Sequence, residues 1–340
     1  MKKWQTYSLG VIATYALVAL FPRFDNVVNN PLVVAGINRP VLIAHGGGNL
    51  EFPDNTLEAF YNAYSIDPKV MMETDVSLTK DGVIILSHDT TLDRKTNLLN
   101  AEIINTNYVD LVANEVDFNY QNTVVPNSNG FNVSGEFKKY TTWDKREVTP
   151  LDVAYPAGVT PSHPTKFLVT TLEELITTFP SNFINVEIKQ TGETGILALN
   201  KVIELMERLN PDYNTFNRIV LASFHENVTA ELARIRKEKH PSLMFSPETN
   251  GVIKYFALHT LRLDVFYTDP VSVLQVPMWR YGLNLATKGF VRTANRHNIA
   301  VHYWTINDAD DMRLLIKNGA HGIMTDRPTL LKEIIDQETK

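Results

Sequence analysis

Glu73 and Asp75 are separated by one residue inside an apolar run, and Glu187 and Lys189 repeat that spacing in another. Side chains alternate along a strand, so each pair projects to one side. Adjacent carboxylates repel each other, and a divalent cation is the simplest remedy. His45 and His88 each follow an apolar, strand-like run. Imidazole gives and takes protons near neutral pH. An acid pair on a strand, flanked by two strand-end histidines, is a candidate metal-assisted acid/base site. The chain has no cysteine, which excludes disulfides, thiolate nucleophiles and thiolate metal sites. A metal must therefore sit on oxygen or imidazole. The oxygen set Glu73, Asp75 and Glu187 suits Mg2+ or Ca2+ better than Zn2+. Lys189 is a candidate for holding the charge of an anionic substrate.

The elements that position these residues follow from periodicity. Eight short β-rich runs lie at residues 41–44, 70–76, 184–189, 219–224, 243–246, 265–268, 300–306 and 322–325. Helix-period segments lie between most of them and after the last, at 56–65, 172–179, 195–209, 227–239, 252–261, 286–297, 309–318 and 329–337. Strand alternating with helix predicts an α/β fold with a parallel sheet, and eight repeats predict closure into a (β/α)8 barrel. Active sites of such barrels sit at the C-terminal ends of the strands. His45 ends the first run, Asp75 lies near the end of the second, and Glu187 and Lys189 close the third. An extra run at 83–86 follows Lys80-Asp81-Gly82, a hairpin signal. It is expected to pair with the second barrel strand and return His88 to the same mouth. Residues 98–166 lack sustained periodicity and form an insertion too long for a plain loop.

The 340 residues carry a net charge of −6 and no basic block, so nucleic acid is not an expected partner. Lys2 and Lys3 precede an uncharged run at 4–21, close to the ~20 residues needed to span a bilayer. The positive-inside rule then predicts a membrane anchor over residues 1–23, with the remainder extracytoplasmic. A cleaved signal sequence, giving a secreted or periplasmic protein, is the alternative. Residues 24–40 read as a linker and 41–340 as the catalytic domain.

The order His45-Gly46-Gly47, Asp54-Asn55-Thr56, Glu73-Thr74-Asp75 and His88-Asp89 resembles the glycerophosphodiester phosphodiesterases, whose motifs are His-Arg-Gly, Glu-Asn-Thr, Glu-x-Asp and His-Asp. Trp304-Thr305-Ile306-Asn307 matches that family's Trp-Thr-x-Asn, and Thr325-Asp326-Arg327-Pro328 its Thr-Asp-x-Pro. The resemblance implies a metal on Glu73, Asp75 and Glu187, His45 and His88 as the acid/base pair, Trp304 as a wall of the substrate pocket, and the insertion as a lid. It implies metal-dependent hydrolysis of glycerophosphodiesters to glycerol 3-phosphate and an alcohol. Asp326 is expected to cap the last helix, with Pro328 in its first turn.

Three departures stand out. Gly46 replaces the family's phosphate-holding arginine. Asp54 is one methylene shorter than the usual glutamate. Gly46-Gly47-Gly48 offers backbone N–H groups that a phosphate would accept from. The same His-Gly-Gly-Gly occurs in α/β-hydrolase oxyanion loops, but no Gly-x-Ser-x-Gly elbow accompanies it. Alternatives within the barrel class are a lysophospholipase D or another phospholipase-type enzyme acting on membrane lipids. An alternative of another class is an inactive ligand-binding barrel.

Overall fold

The structure is a computed structural model that describes residues 3–37, 39–127, 130–133 and 135–339. Eight parallel strands form the barrel. They are numbered here in chain order as β1 Val41–Ala44, β2 Met71–Leu78, β3 Ile184–Ile188, β4 Ile219–Ala222, β5 Met244–Phe245, β6 Val273–Val276, β7 Ala300–Tyr303 and β8 Gly322–Thr325. Strand pairing runs β5-β4-β3-β2-β1-β8-β7-β6. Between β5 and β6 the backbone is bridged by Ser272 N donating to Phe245 O at 3.0 Å. The ring is therefore nearly closed, with its thinnest seam at that edge.

Alternation along the strands separates two cores. Outward residues such as Leu42, Met72, Val186 and Leu221 pack in one large buried cluster with the surrounding helices. Inward residues Ile43, Met71, Val220, Met244, Val273 and Ala300 fill the lower barrel. Further along the strands the inward positions become Glu73, Asp75, Asn185, Glu187, Gln275 and His302. Burying each apolar side chain contributes roughly 1.5–3 kcal/mol, and this inner layer is the rigid base on which the polar layer stands. Register does the rest: Asp75 lies opposite Glu187, and Glu73 opposite Asn185.

Residues 24–40, expected as a linker, are part of this packing. Asn30 caps a short helix, Pro31–Gly36, and Leu32 and Val33 plug the barrel interior from below. Asn30 Nδ2 also donates to Ser272 O and Asn298 O at 2.6 and 2.8 Å. The apolar stretch Leu-Val-Val reads as linker only when its capping asparagine is overlooked.

The N-terminal run forms the helix Lys3–Leu20, but among the described residues no helix is long and apolar enough to cross a membrane. The anchor expectation is therefore not supported. Residues 3–8 are mostly polar, so only residues 9–20 are apolar, about 18 Å of helix at 1.5 Å per residue against about 30 Å of hydrocarbon. The segment is also tied to the barrel: Tyr15 Oη donates to Leu261 O at 2.7 Å, and Arg23 pairs with buried Asp264 at 2.7 Å. Lys2 lies outside the described residues.

The sixth strand is displaced from its expected position. Residues 265–268 are β-rich in composition, yet Asp264 is held by Arg23 and by His297 at 3.2 Å, and the chain makes a tight turn, Asp264–Phe266. The strand follows at Val273–Val276, in register with Ala300–Tyr303. The extra run at 83–86 does pair antiparallel with β2, Leu86 opposite Val76. The insertion carries its own core, in which Ile103, Leu111, Phe118, Tyr140 and Val153 are buried against Phe52, Ile85, Leu92 and Phe167.

Candidate active site

All seven residues singled out in the sequence line one cavity of about 220 Å3 at the C-terminal mouth of the barrel: His45, Glu73, Asp75, His88, Glu187, Lys189 and Trp304. No described residue of the insertion lines it, which corrects the lid expectation. The insertion instead docks beside the first loop, where Tyr140 Oη donates to Asn49 O and Trp143 N to Leu50 O, both at 2.8 Å.

Glu73, Asp75 and Glu187 each offer a carboxylate oxygen, and these oxygens lie within 4.8 Å of one another. Burial first, and then the Asp75 charge, push the Glu73 carboxyl up to about 8. Glu187 is raised by the same two causes. Three acids this close, two of them buried, are in electrostatic strain that a divalent ion would relieve, so the donor set fits a hard cation. Lys189 Nζ partly offsets the charge, at 2.9 Å from Glu187 and 3.4 Å from Asp75. Burial works against the Lys189 ammonium, but Asp75 and Glu187 outweigh it and raise its pKa.

His45 is gripped on one side. Its Nδ1 lies 2.6 Å from Asp326 Oδ1, and its Nε2 faces Glu73 at 4.0 Å. Burial opposes its charge, yet Glu73, Asp326 and Asp75 together raise it to about 10. His88, about half exposed, has Nδ1 3.1 Å from Asp89, and that hydrogen bond raises its pKa. Asp89 is in turn clamped by Arg94.

Several residues were missed as site residues. Asp326 does not cap the last helix: Arg327 occupies that position, and Pro328 opens the first turn as expected. Asp326 instead joins His45 to Asn307, whose Nδ2 donates to it at 2.7 Å while Asn307 Oδ1 accepts from Asp326 N at 2.9 Å. Asn55, with a left-handed φ of 59°, donates to Asp75 Oδ2 at 3.1 Å and accepts from Asp75 N at 3.1 Å and Thr74 Oγ1 at 2.7 Å. It fixes the orientation of a proposed metal ligand. Below the acids, Gln275 Nε2 donates to Asn185 Oδ1 at 2.6 Å. The motifs Asp-Asn-Thr and Thr-Asp-x-Pro were the available signals for Asn55 and Asp326.

The three departures also resolve structurally. Asp54 is a buried counter-ion, with Lys95 Nζ at 2.7 Å and Arg94 at 3.0 Å. Burial alone would raise it, but those two cations hold it well below the usual carboxylate range. Gly46 has φ +54°, and a Cβ there would meet Asp54 Cβ at 2.9 Å. The glycine N–H groups expected to await a phosphate are partly committed: Gly46 N donates to Glu73 at 2.9 Å and Gly48 N to His45 O at 2.8 Å.

Comparison with known proteins agrees with this geometry. The model of the glycerophosphoryl diester phosphodiesterase family matches residues 45–330. A glycerophosphodiester phosphodiesterase of Caldanaerobacter subterraneus is 23% identical over 302 residues, covering 87% of this chain and 98% of the relative. A lysophospholipase D of Homo sapiens is 23% identical over 310 residues, covering 86% and 85%. Among solved structures, an Oleispira antarctica phosphodiesterase in complex with the product sn-glycerol-3-phosphate superimposes with a TM-score of 0.59 at 18% identity, covering 88% of this chain and 97% of that one. A barrel whose histidines, acids and lysine share one mouth, matched by the family's model over most of its length, belongs to the glycerophosphoryl diester phosphodiesterase family and is a phosphoric diester hydrolase.

Proposed function

We propose that this chain hydrolyses glycerophosphodiesters to sn-glycerol 3-phosphate and an alcohol, using Mg2+ or Ca2+ held by Glu73, Asp75 and Glu187. The observation that carries the reading is the placement of His45 and His88 at the mouth of one cavity that also holds the acid cluster and Lys189. When bound, the ion would withdraw charge from the phosphate oxygens and so make phosphorus more electrophilic.

The chain's own residues do the remainder. Lys189 is a mobile point charge that can leave the carboxylates and meet a phosphate oxygen once the acids are otherwise neutralised. Asp326 fixes the ring of His45, and Asp89 that of His88. Water adds to phosphorus as one imidazole takes its proton. The bond from phosphorus to the alcohol oxygen breaks as the other imidazole supplies a proton to that oxygen. Trp304 and Phe224, edge to face with centroids 5.7 Å apart, form an apolar wall that shields the reacting bond from bulk water.

The test uses the purified chain and glycerophosphocholine. Equal release of choline and glycerol 3-phosphate, abolished by chelator and by His45→Ala, is expected. Binding of the diester with no turnover under any divalent ion would favour the inactive barrel instead.

A further inference from the structure

Asp89, Arg94, Asp54 and Asn55 lie outside the walls of the catalytic cavity, yet they form an unbroken chain of contacts between His88 and Asp75. His88 Nδ1 lies 3.1 Å from Asp89 Oδ1, and Asp89 Oδ2 accepts from Arg94 Nε. The far side of the same guanidinium grips Asp54, with Nη1 donating to Oδ1 at 3.2 Å and Nη2 to Oδ2 at 3.0 Å. Asn55 Nδ2 then donates to Asp54 Oδ2 at 3.2 Å and to Asp75 Oδ2 at 3.1 Å. A guanidinium holds its donors in a fixed planar fork, so a rigid group sets the spacing of the two carboxylates. Neutralising Asp54 does not by itself require Arg94, because Lys95 already pairs with it at 2.7 Å. What Arg94 adds is the link: among the described residues it alone pairs with both Asp54 and Asp89.

The loop that carries Arg94 is held by the insertion. Ile103 N donates to Thr90 O and Leu92 N to Ala101 O, both at 2.9 Å. Asn122, only 5% exposed, meets the loop three times. Its N donates to Arg94 O at 2.9 Å, and its Nδ2 to Asp93 O at 2.7 Å and Thr96 O at 2.8 Å. One buried amide thus fixes the backbone on either side of the residue that bridges the two acids. Resting on the proposed phosphodiesterase reading, we propose that Arg94 is a positioning residue that holds His88 and Asp75 in one constellation, and that the insertion acts on the reaction through it, by way of Asn122. The insertion has no described residue in the cavity wall, so its part is to hold the frame and not to touch substrate. A misplacement of about 1 Å at a reacting centre can cost about 10^2-fold, which gives a brace of this kind its value.

The experiment has two readouts on the full chain: kcat and KM for glycerophosphocholine at saturating Mg2+ or Ca2+, and the ion concentration that raises the thermal midpoint. Removing a partner that orients a metal ligand typically costs about 10–100-fold in metal affinity or activity. Arg94→Met should lower kcat by about that factor with KM within about twofold of the parent, and should need about tenfold more ion for the same rise in midpoint. Arg94→Lys keeps the charge but cannot bridge two carboxylates, and should recover only part of kcat. Asn122→Leu, in the insertion, should reproduce both effects in weaker form with the circular dichroism unchanged, and it serves if the Arg94 variants fail to fold. In Asp89→Asn the link to His88 is already cut, so adding Arg94→Met should cost kcat little more. Full additivity of those two substitutions, or an ion response equal to the parent's, overturns the joint role and leaves the phosphodiesterase reading intact. If the parent does not cleave the diester, that reading falls and the ion response decides Arg94 alone. A weakened response in Arg94→Met and Asn122→Leu supports the brace, whereas an unchanged one overturns it.

Discussion

Asp326 Oδ1 lies 2.6 Å from His45 Nδ1 and joins the end of the last barrel strand to the end of the first. An ionised carboxylate only accepts hydrogen bonds, so this contact places a proton on Nδ1 and turns Nε2 toward the cavity. Asp326→Asn keeps the shape and offers an amide in place of the charge. General acid–base catalysis contributes about 10^2–10^4-fold, and we expect kcat to fall by at least the lower figure with the circular dichroism unchanged. Asp326→Glu should recover part of the loss. A kcat equal to the parent's would remove Asp326 from the acid/base machinery.

Strain among Glu73, Asp75 and Glu187 makes metal binding a folding measurement as well as a kinetic one. An ion that binds only the folded chain stabilises it by about 2.7 kcal/mol at a hundredfold excess over its Kd. Addition of Mg2+ or Ca2+ to chelator-treated protein should therefore raise the thermal midpoint. Glu187→Gln, which removes one charge from the cluster, should reduce that rise and the metal-dependent activity together. A midpoint indifferent to both ions in the parent protein would count against the three-carboxylate site.

Much of the site is legible because strand periodicity is strict: Glu73 with Asp75, and Glu187 with Lys189, had to share a face. Which strands are neighbours is a matter of barrel closure, and Asp75 opposite Glu187 follows from it. Other features depend on contacts between distant parts of the chain. Asp264 looks like an ordinary loop acid until Arg23, 241 positions away, is seen to pair with it, at the start of the turn that precedes the sixth strand. Asp326 sits where a cap is expected, and only the ring's closure brings it to His45. The insertion shows no period because its core is assembled from single residues spread between Ile103 and Val153.

Gly46 stands where the family usually has arginine, and restoring that arginine should not improve this enzyme. A non-glycine residue at φ +54° costs roughly 1–2 kcal/mol, and the new Cβ would press on Asp54. The cations beside Asp54 are already Lys95 and Arg94. Gly46→Arg is expected to lower the urea midpoint without raising kcat/KM for glycerophosphocholine. A gain in kcat/KM would mean that the phosphate still lacks a cation.

Lys95 and Asp54 are both buried and in contact at 2.7 Å. Removing one partner of a buried pair leaves the other charge uncompensated, at about 3–5 kcal/mol. Asp54→Asn should therefore cost about that much by urea denaturation. The double variant Asp54→Asn, Lys95→Met should recover a large part of it. Additive losses would show that the two groups are not coupled.

Two histidines outside the catalytic mouth each weaken the fold as pH falls. His302 is fully buried inside the barrel on β7, with no hydrogen-bond partner at either ring nitrogen among the described residues. Burial, and then neighbouring His321, push it down to about 3. His321, whose Nδ1 accepts from Val301 N at 3.2 Å, is pushed down by burial to about 4. In the unfolded chain both titrate near 6.5. Below that pH the unfolded state binds protons that the folded state refuses, so stability is full above about 6.5 and falls as pH drops toward the folded values. Each buried histidine loses about 1.4 kcal/mol per pH unit across that window. Glu73, held up to about 8, works in the opposite direction over the same range, so the histidine contribution is read by comparing urea unfolding of parent and variant at pH 7, 6 and 5. His302→Leu should lose less between pH 7 and pH 5, by about 2 kcal/mol. The comparison is between slopes, so any pH-independent cost of the substitution drops out. Parallel slopes for parent and variant would assign the acid sensitivity to other groups.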